Sequence, residues 1–192
     1  MKRLICLIAF FLLMLSLSLT SCMVGGSTLT FVSYGAYDPQ QVSYNNGQTI
    51  SSLPVMNKIG FEFVGWATKE NSTEVLYVPF TAGITDLTLY GVYKIDYDMF
   101  FDNNIVNDSA DFVETYSYSN CILLKNNKEA TSITIDAQSD VIKNVIFTNC
   151  NGKTLEYAKN GNAYTIEKTV GDIVIDIELT SYQGQKLLFT IS

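Results

Sequence analysis

Cysteine is the residue type in this chain that is best suited to carry out chemistry, because the usual partners of other nucleophiles are missing. The 192-residue sequence contains four cysteines and no histidine. Without histidine, a Ser-His-Asp triad, a Cys-His pair and histidine-ligated zinc or haem are all excluded. The sequence also has no CxxC pair, phosphate-binding loop or Gly-x-Ser-x-Gly elbow. We therefore expect a protein that is not an enzyme and that uses no cofactor.

Cys22 has the most informative surroundings of the four cysteines. Lys2 and Arg3 precede an unbroken apolar run from Leu4 to Leu15, and mostly small polar residues lead from there to Cys22. A positive start, an apolar core and small residues are the order of a secretory signal. The run is shorter than the roughly 20 residues that a membrane-spanning helix needs. Residues 1–21 are therefore predicted to be a signal peptide outside the fold.

The residues just before this cysteine, Leu19-Thr20-Ser21-Cys22, resemble the bacterial lipobox. The resemblance implies that Cys22 is the lipid attachment residue, that its sulfur is diacylated, and that the chain is cleaved after Ser21. Two acyl chains would hold a protein stably at a membrane. The alternatives are an ordinary signal peptide with a chance cysteine, or an uncleaved anchor. The lipobox interpretation predicts a lipoprotein of the cell envelope, anchored by lipid on the extracytoplasmic side at the cell surface.

The charge of the chain restricts its partners. Removing Lys2 and Arg3 with the signal leaves ten basic against 19 acidic residues, a formal charge near −9. An acidic protein does not suit nucleic acid, whose affinity for proteins depends on basic residues at the phosphates. We therefore expect the membrane, through the lipid, and a protein or glycan as partners, and no nucleic acid.

Cys121 and Cys150 remain after Cys6 leaves with the signal and Cys22 takes the lipid. An extracytoplasmic compartment permits disulfides, and a bond between them would close a loop of about 30 residues and contribute roughly 3–4 kcal/mol. The alternative is two buried thiols that pack as small hydrophobic groups. Spacing alone leaves both interpretations open.

Composition and turn residues divide the rest of the chain. The Gly- and Ser-containing segment 22–28 is predicted to be a lipidated tether, 29–94 a first β domain, 95–111 an acidic linker and 112–192 a second β domain. Aromatic and β-branched residues are frequent, and no amphipathic helix is evident. The fold class is therefore predicted to be mainly β.

The first β domain contains a distinctive aromatic pattern, Gly60-Phe61-Glu62-Phe63-Val64-Gly65-Trp66, followed by Leu87-Thr88-Leu89-Tyr90. These motifs resemble the Listeria–Bacteroides repeat, also known as the B repeat of internalins, over about residues 28–94. The resemblance implies a compact, β-grasp-like sheet. Phe61 and Phe63 share one strand face because they are two residues apart. For Trp66 we expect core packing rather than a ligand platform.

The acidic linker carries five aspartates with no basic residue between them. Oxygen-rich segments can bind Ca²⁺, but an EF-hand loop is excluded because Phe100 and Phe101 occupy positions that require an oxygen ligand and Gly. A weak calcium site in 96–111 and a solvated linker remain as alternatives, so no metal ligand is assigned. The aspartates are Asp96, Asp98, Asp102, Asp108 and Asp111.

The second β domain has about seven or eight short strands separated by turns. The clearest strand, Ile173–Leu179, has aliphatic residues at every odd position, while Asp176 and Glu178 face the other way. Asn151-Gly152 and Asn160-Gly161 are strong hairpin signals. This pattern predicts an immunoglobulin-like β-sandwich.

Together these features favour a surface-anchored, non-catalytic module for adhesion, interaction or structure. The alternative is a lipoprotein that binds a glycan or solute and serves a transporter or polysaccharide system. Its pocket would lie between the two β domains, with Tyr116 and Tyr118 as stacking residues. An enzyme would need two carboxylates across a cleft, which no motif indicates.

Overall fold

The computed structural model confirms a mainly β protein. In the part of the chain that it describes there is no α-helix, only a 3₁₀ turn at Tyr97–Met99. Among the described residues, no helix is long and apolar enough to cross a membrane. The described residues are 26–35, 41–101, 104–107, 111–115, 118–125, 130–137, 140–181 and 185–192.

The N-terminal domain is built around a four-stranded sheet in the order β2-β1-β6-β4. Its two central strands, β1 and β6, are parallel, and the outer strands are antiparallel to them. A parallel central pair flanked by antiparallel edges agrees with the β-grasp-like sheet that the repeat resemblance implied. The strands are β1 (Gly26–Val32), β2 (Gln41–Asn45), β3 (Thr49–Ile50), β4 (Phe61–Ala67), β5 (Phe80–Thr81) and β6 (Leu87–Ile95), of which β3 and β5 form a separate ribbon.

The first strand begins at Gly26, inside the segment that was predicted to be a tether. Gly26 pairs with Asn45 and Thr28 with Ser43 of β2. The backbone N–H of Thr28 also donates to the carboxylate of Asp86, 2.8 Å away. These bonds extend the strand towards the N-terminus beyond its first large apolar residue, so residues 26–28 belong to β1 and not to the predicted tether.

Trp66 is the centre of the N-terminal core, which confirms the packing role expected for it. It is 2% exposed, its indole N–H donates to the carbonyl of Pro54 at 2.7 Å, and its ring meets Phe31 and Phe63 edge-on. The register of β4 shifts between Phe63 and Gly65. This β-bulge lets Phe63 and Trp66, three residues apart, share the core side of a strand on which period two would separate them.

The C-terminal domain consists of two five-stranded sheets packed face to face, which confirms a β-sandwich. The inner sheet, which faces the N-terminal domain, has the order β12-β11-β15-β9-β7, and the outer sheet has the order β13-β14-β10-β16-β8. The strands are β7 (Ile105–Asn107), β8 (Asp111–Thr115), β9 (Ser119–Lys125), β10 (Ala130–Ala137), β11 (Ile142–Asn149), β12 (Thr154–Leu155), β13 (Ala158–Asn160), β14 (Ala163–Thr169), β15 (Ile173–Leu179) and β16 (Gln185–Ile191).

The strand order differs from the immunoglobulin-like arrangement that the sequence suggested. Strands β8 to β16 pair as one long folded hairpin: β8 with β16, β9 with β15, β10 with β14, and β11 with β12. Successive strands from β8 to β11 alternate between the two sheets. This nested pairing is the topology of a jelly roll, with β7 and β13 added at the sheet edges. Short strands at regular spacing fit both topologies, so the sequence pattern did not separate them.

The predicted acidic linker is in part a structural element of the sandwich. Ile95 still belongs to β6, and β7 joins the inner sheet by parallel pairing with β9. The reason is apolar burial, because Phe100 and Val106 are 7% and 0% exposed. Two ends of the acidic segment are therefore held by the folded domains.

Candidate functional site at the domain junction

The two domains meet in a buried apolar cluster, which we call the junction. The junction core joins the start of β4 and the end of β6 to one face of the inner sheet, the face that points away from the core of the sandwich. Its buried members are Phe61, Tyr93 and Ile95 from the N-terminal domain, Phe100 from the connection, and Leu123 and Val174 from the sandwich. Burial of large side chains from both partners is typical of a docked pair of domains rather than of two domains on a free linker.

Two glycines allow this close approach. A Cβ added to Gly60 would lie 2.7 Å from a methyl group of Val174, and one added to Gly152 would lie 2.6 Å from the ring of Tyr93. Both residues also have a positive φ, +80° and +81°. Each domain therefore presents a glycine to a large side chain of the other domain, where any other residue would push the two apart.

Lys58 connects the two domains through hydrogen bonds. Its ammonium group donates to the carbonyl of Tyr34 in its own domain and to the carbonyl of Gly152 in the sandwich, both at 2.6 Å. It also lies within 6 Å of the ring centroids of Phe61 and Tyr93, a favourable position for a cation. Burial lowers the pKa of Lys58 to about 8, so the group is still cationic at neutral pH.

The turn that supplies the first of these carbonyls is strained. Tyr34 has φ +51° and Gly35 has φ +86°. A tyrosine in the left-handed region costs free energy that its surroundings must offset. Here the offset comes from contacts of the carbonyl, which accepts from Lys58 and from the Thr154 hydroxyl of the sandwich at 3.5 Å.

Polar pairs surround the junction on its exposed side. The Tyr97 hydroxyl donates to the Asp172 carboxylate at 3.0 Å, and Lys153 forms an ion pair with Glu70 at 3.0 Å. Exposed pairs of this kind contribute little to stability, on the order of 0–1 kcal/mol each. We therefore expect the apolar cluster, and not these exposed pairs, to supply most of the free energy that holds the domains together.

The titratable groups at the junction predict an unusual dependence of stability on pH. Lys58 titrates near 8 when folded and near 10.5 when unfolded, so its burial opposes folding below pH 8 and this cost disappears between about pH 8 and 10.5. Burial raises the pKa values of Cys121 and Tyr93 to about 12, so they favour folding at neutral pH and this contribution is lost above about pH 9 and 10 respectively. We expect stability to rise from pH 8 to 9 and to fall above pH 10.

Urea unfolding at a series of pH values from 7 to 11 measures this profile. The Lys58→Met variant keeps the length of the side chain but has no charge. It should lose the rise between pH 8 and 9 and keep the fall above pH 10. A rise of equal size in both proteins would show that Lys58 is not its source.

A cleft opens beside the junction, between the two domains. Its volume is about 430 Å³, within the roughly 300–1,000 Å³ of typical ligand sites. One wall belongs to the N-terminal domain and the other to the inner sheet of the sandwich. The residues around it include Asn57, Lys58 and Ile59 on the first wall and Ile146, Thr154 and Asp176 on the second.

Asp176 lines this cleft, and the pKa of its carboxyl group is shifted. Burial, and then the neighbouring Glu178, raise the pKa of its carboxyl group. The Asp176 carboxylate in turn adds to burial in raising the pKa of the Cys121 thiol. The face of β15 that carries Asp176 and Glu178 was expected to be solvated, but the N-terminal domain covers it at Val174 and half-buries Asp176.

Among the described residues, none that the sequence indicated as a possible site lines this cleft. Cys22 and Tyr116 lie outside the described residues, and Tyr118 is exposed and does not line the cleft. Asp102 and Asp108 also lie outside them, and no three potential metal ligands converge among the groups that are described. The inter-domain pocket expected for a ligand-binding protein is present, but its aromatic residue is Tyr34.

Cys121 and Cys150 are free thiols, so the disulfide considered from the sequence is not part of this fold. Cys121 lies on β9 and Cys150 directly follows β11, and these strands pair with opposite edges of β15. Two strand spacings separate their backbones by about 10 Å, whereas a disulfide needs Cα atoms within about 7 Å. Both side chains instead pack against the junction core, as the alternative of two packed thiols predicted.

Sequence reasoning missed Lys58, Gly152 and Asp176 as junction residues, although one signal was present. Ile122-Leu123-Leu124 and Ile173-Val174-Ile175 are uninterrupted aliphatic runs within strands. Such runs indicate a strand that is covered on both faces. They identify where the sandwich is covered by another layer, but not which residues cover it.

Comparison with known proteins covers the N-terminal domain. Residues 28–92 match the family described as the Listeria-Bacteroides repeat domain, a family found in surface proteins. No curated protein matches the chain. The matched segment includes Phe61, Trp66 and β6 as far as Val92, so the N-terminal domain is similar to a Listeria–Bacteroides repeat, as its motifs predicted.

Proposed function

We propose that this protein is a non-catalytic interaction module of the cell envelope. A lipid on Cys22 anchors it on the extracytoplasmic side, and its N-terminal repeat holds the sandwich away from the membrane for contact with a protein or glycan. The occurrence of the repeat family in surface proteins supports this location. The observation that carries the proposal is the placement of the anchor end and the junction at opposite ends of one sheet.

The parallel pair β1 and β6 sets this direction. Gly26 lies three residues before the point where Leu29 pairs with Leu87, and Ile95 lies eight residues beyond it. At about 3.3 Å per residue, the start of β1 and the junction are separated by roughly 35 Å along the strands. The N-terminal domain therefore has the dimensions of a spacer.

The proposed anchor lies close to one end of that spacer. Only three residues lie between Cys22 and Gly26, so four Cα–Cα steps give a reach of at most roughly 15 Å. The end of the domain near Gly26 carries the turn at Asn45–Gly47 and the side chain of Asp86. At this end the carboxylate of Asp86 accepts the backbone N–H of Thr28.

The sandwich surface farthest from the membrane is then the outward face of the outer sheet, because the N-terminal domain packs on the inner sheet. This face is rich in hydroxyl groups, some of them paired: Thr134 with Thr165 at 3.1 Å and Ser132 with Ser192 at 2.6 Å. Thr190 extends the same face. We propose that this polar surface is what the protein offers to its partner.

The anchor is tested by labelling cells with radioactive fatty acid. We expect the wild-type chain to incorporate label and Cys22→Ala to incorporate none, while both are exported. Equal labelling of the two would exclude Cys22 as the lipid attachment residue.

The orientation is tested by site-specific photo-crosslinking in the anchored full chain. A photoreactive residue at Asn46, in the turn near Gly26, should crosslink to phospholipid, whereas the same residue at Thr190 should not. Strong lipid crosslinking from Thr190 would mean that the sandwich lies on the membrane, and the spacer proposal would fail even if the lipid anchor is correct.

A further inference from the structure

The cleft between the two domains has the composition of a small-molecule site. One wall comes from the part of the chain that is similar to the repeat, and the other wall comes from the sandwich. The site therefore exists only because these two domains dock as they do. Its existence does not depend on the proposed lipid anchor.

Aliphatic side chains are exposed on both walls. Ile59 is 55% exposed and Ile146 is 37% exposed, and they lie on opposite sides of the cleft. Apolar groups that remain accessible inside a concave surface are typical of ligand sites, where they cover the apolar faces of a bound molecule. They provide contact area without a preference for charge.

Three polar side chains, those of Asn57, Lys58 and Asp176, also line the cleft. Neither Asp176 nor Asn57 has a side-chain hydrogen bond to any described residue. Lys58 has three N–H donors and uses two of them on carbonyl oxygens, so one donor is left. The cleft thus holds acceptors on Asp176, a mixed donor and acceptor on Asn57, and one N–H of Lys58.

The charges of these groups select the class of ligand. Lys58 opposes a cationic ligand, while Asp176, nearby Glu178 and the acidic chain as a whole oppose an anionic one. A neutral molecule with several hydroxyl groups satisfies both, because hydroxyls donate to a carboxylate and accept from an ammonium group. Its C–H faces match the aliphatic walls.

We infer that this cleft binds a neutral mono- or disaccharide. Hydroxyl groups of one sugar ring donate to the Asp176 carboxylate, Asn57 binds a further hydroxyl from the opposite wall, and Lys58 donates its remaining N–H to a sugar oxygen. Ile59 and Ile146 pack against the faces of the sugar.

Saturation-transfer NMR on the full chain in detergent tests this inference. The probes are glucose, galactose, mannose and N-acetylglucosamine with cellobiose, lactose, maltose and chitobiose, and spermidine and citrate serve as charged comparators. We expect transfer to at least one neutral sugar. Asp176→Asn should weaken that binding about tenfold or more, since a hydrogen bond to a charged group is lost, and Asn57→Ala on the other wall should weaken it about fivefold, since a neutral hydrogen bond is lost.

Glu178→Gln is the matched control, because Glu178 lies on the same strand face two residues from Asp176 but pairs with Lys143 and does not line the cleft. It should bind the sugar with an affinity within about threefold of the wild type. The inference is overturned if no neutral sugar binds, if only spermidine or citrate binds, or if binding survives both cleft variants. Melting curves of all variants establish that each one is folded.

Discussion

Replacing Gly152 by Ala is expected to separate the two domains and to destabilise the chain by about 2–5 kcal/mol. The new methyl group would lie 2.6–2.8 Å from the ring and Cβ of Tyr93, and these atoms cannot retreat because the Tyr93 hydroxyl donates to the buried carbonyl of Ser33 at 3.0 Å. Overpacking of this kind costs about 1–3 kcal/mol, and alanine at a positive φ adds roughly 1–2 kcal/mol. Urea unfolding measures the loss, and small-angle scattering measures the separation.

Gly161→Ala is the control for the backbone term alone. Gly161 also has a positive φ, +59°, but a Cβ there meets nothing within 4 Å. It should cost only the roughly 1–2 kcal/mol of the left-handed conformation and leave the scattering curve unchanged. Equal losses in the two variants would show that contact with Tyr93 does not restrict Gly152.

Replacing Trp66 by Ala is expected to cost about 3–5 kcal/mol, the range for removing a large buried aromatic side chain. The change removes edge-on contacts with Phe31 and Phe63 and leaves the carbonyl of Pro54 without its 2.7 Å donor. The N-terminal domain should unfold first. Guanidinium unfolding followed by circular dichroism gives the loss of free energy.

Tyr77→Ala is the matched control for an aromatic side chain in the same domain. Tyr77 is 83% exposed, so its removal should change stability by no more than about 0.5 kcal/mol. If the Trp66 variant were as stable as this control, Trp66 would not be the centre of the core.

The sequence identified well those elements whose signals are local. The alternation from Ile173 to Leu179 predicted β15 with its observed bounds, and Asn160-Gly161 lies at the turn between β13 and β14. The aromatic motif around Trp66 predicted a packed sheet of the repeat type, which the family match and the buried indole both support. In the first two cases a period of two or a residue that tolerates positive φ determines the structure, and in the third the aromatic motif identifies the repeat.

Features that depend on pairing between strands far apart in the sequence could not be predicted from local patterns. The jelly-roll order follows from pairings such as β8 with β16, which lie about 70 residues apart and leave no mark on local periodicity. The bulge at Gly65, which turns Trp66 to the same side as Phe63, changes the face without changing composition. The distance between Cys121 and Cys150 likewise follows from β15 lying between their strands.

The candidate site depends on the docking of two domains, which is why its residues were missed. In the sequence Lys58 resembles an ordinary surface lysine. Its second acceptor, the carbonyl of Gly152, lies within reach only because the sandwich packs against the N-terminal domain. Asp176 has the pattern of a solvated residue on an amphipathic strand, and only the layer over Val174 half-buries it. One-dimensional patterns report whether a face is covered, but they do not identify the segment that covers it.

The repeat and the sandwich form one rigid body, and both the spacer geometry and the cleft depend on this docking. Nitrogen-15 relaxation measures the rotational correlation time of each domain separately within the full chain. The junction predicts one common value for amides such as those of Leu89 and Ile175, equal to that of the whole particle, and two different values in Gly152→Ala. Two shorter and unequal correlation times in the wild-type protein would show that the two domains are not docked.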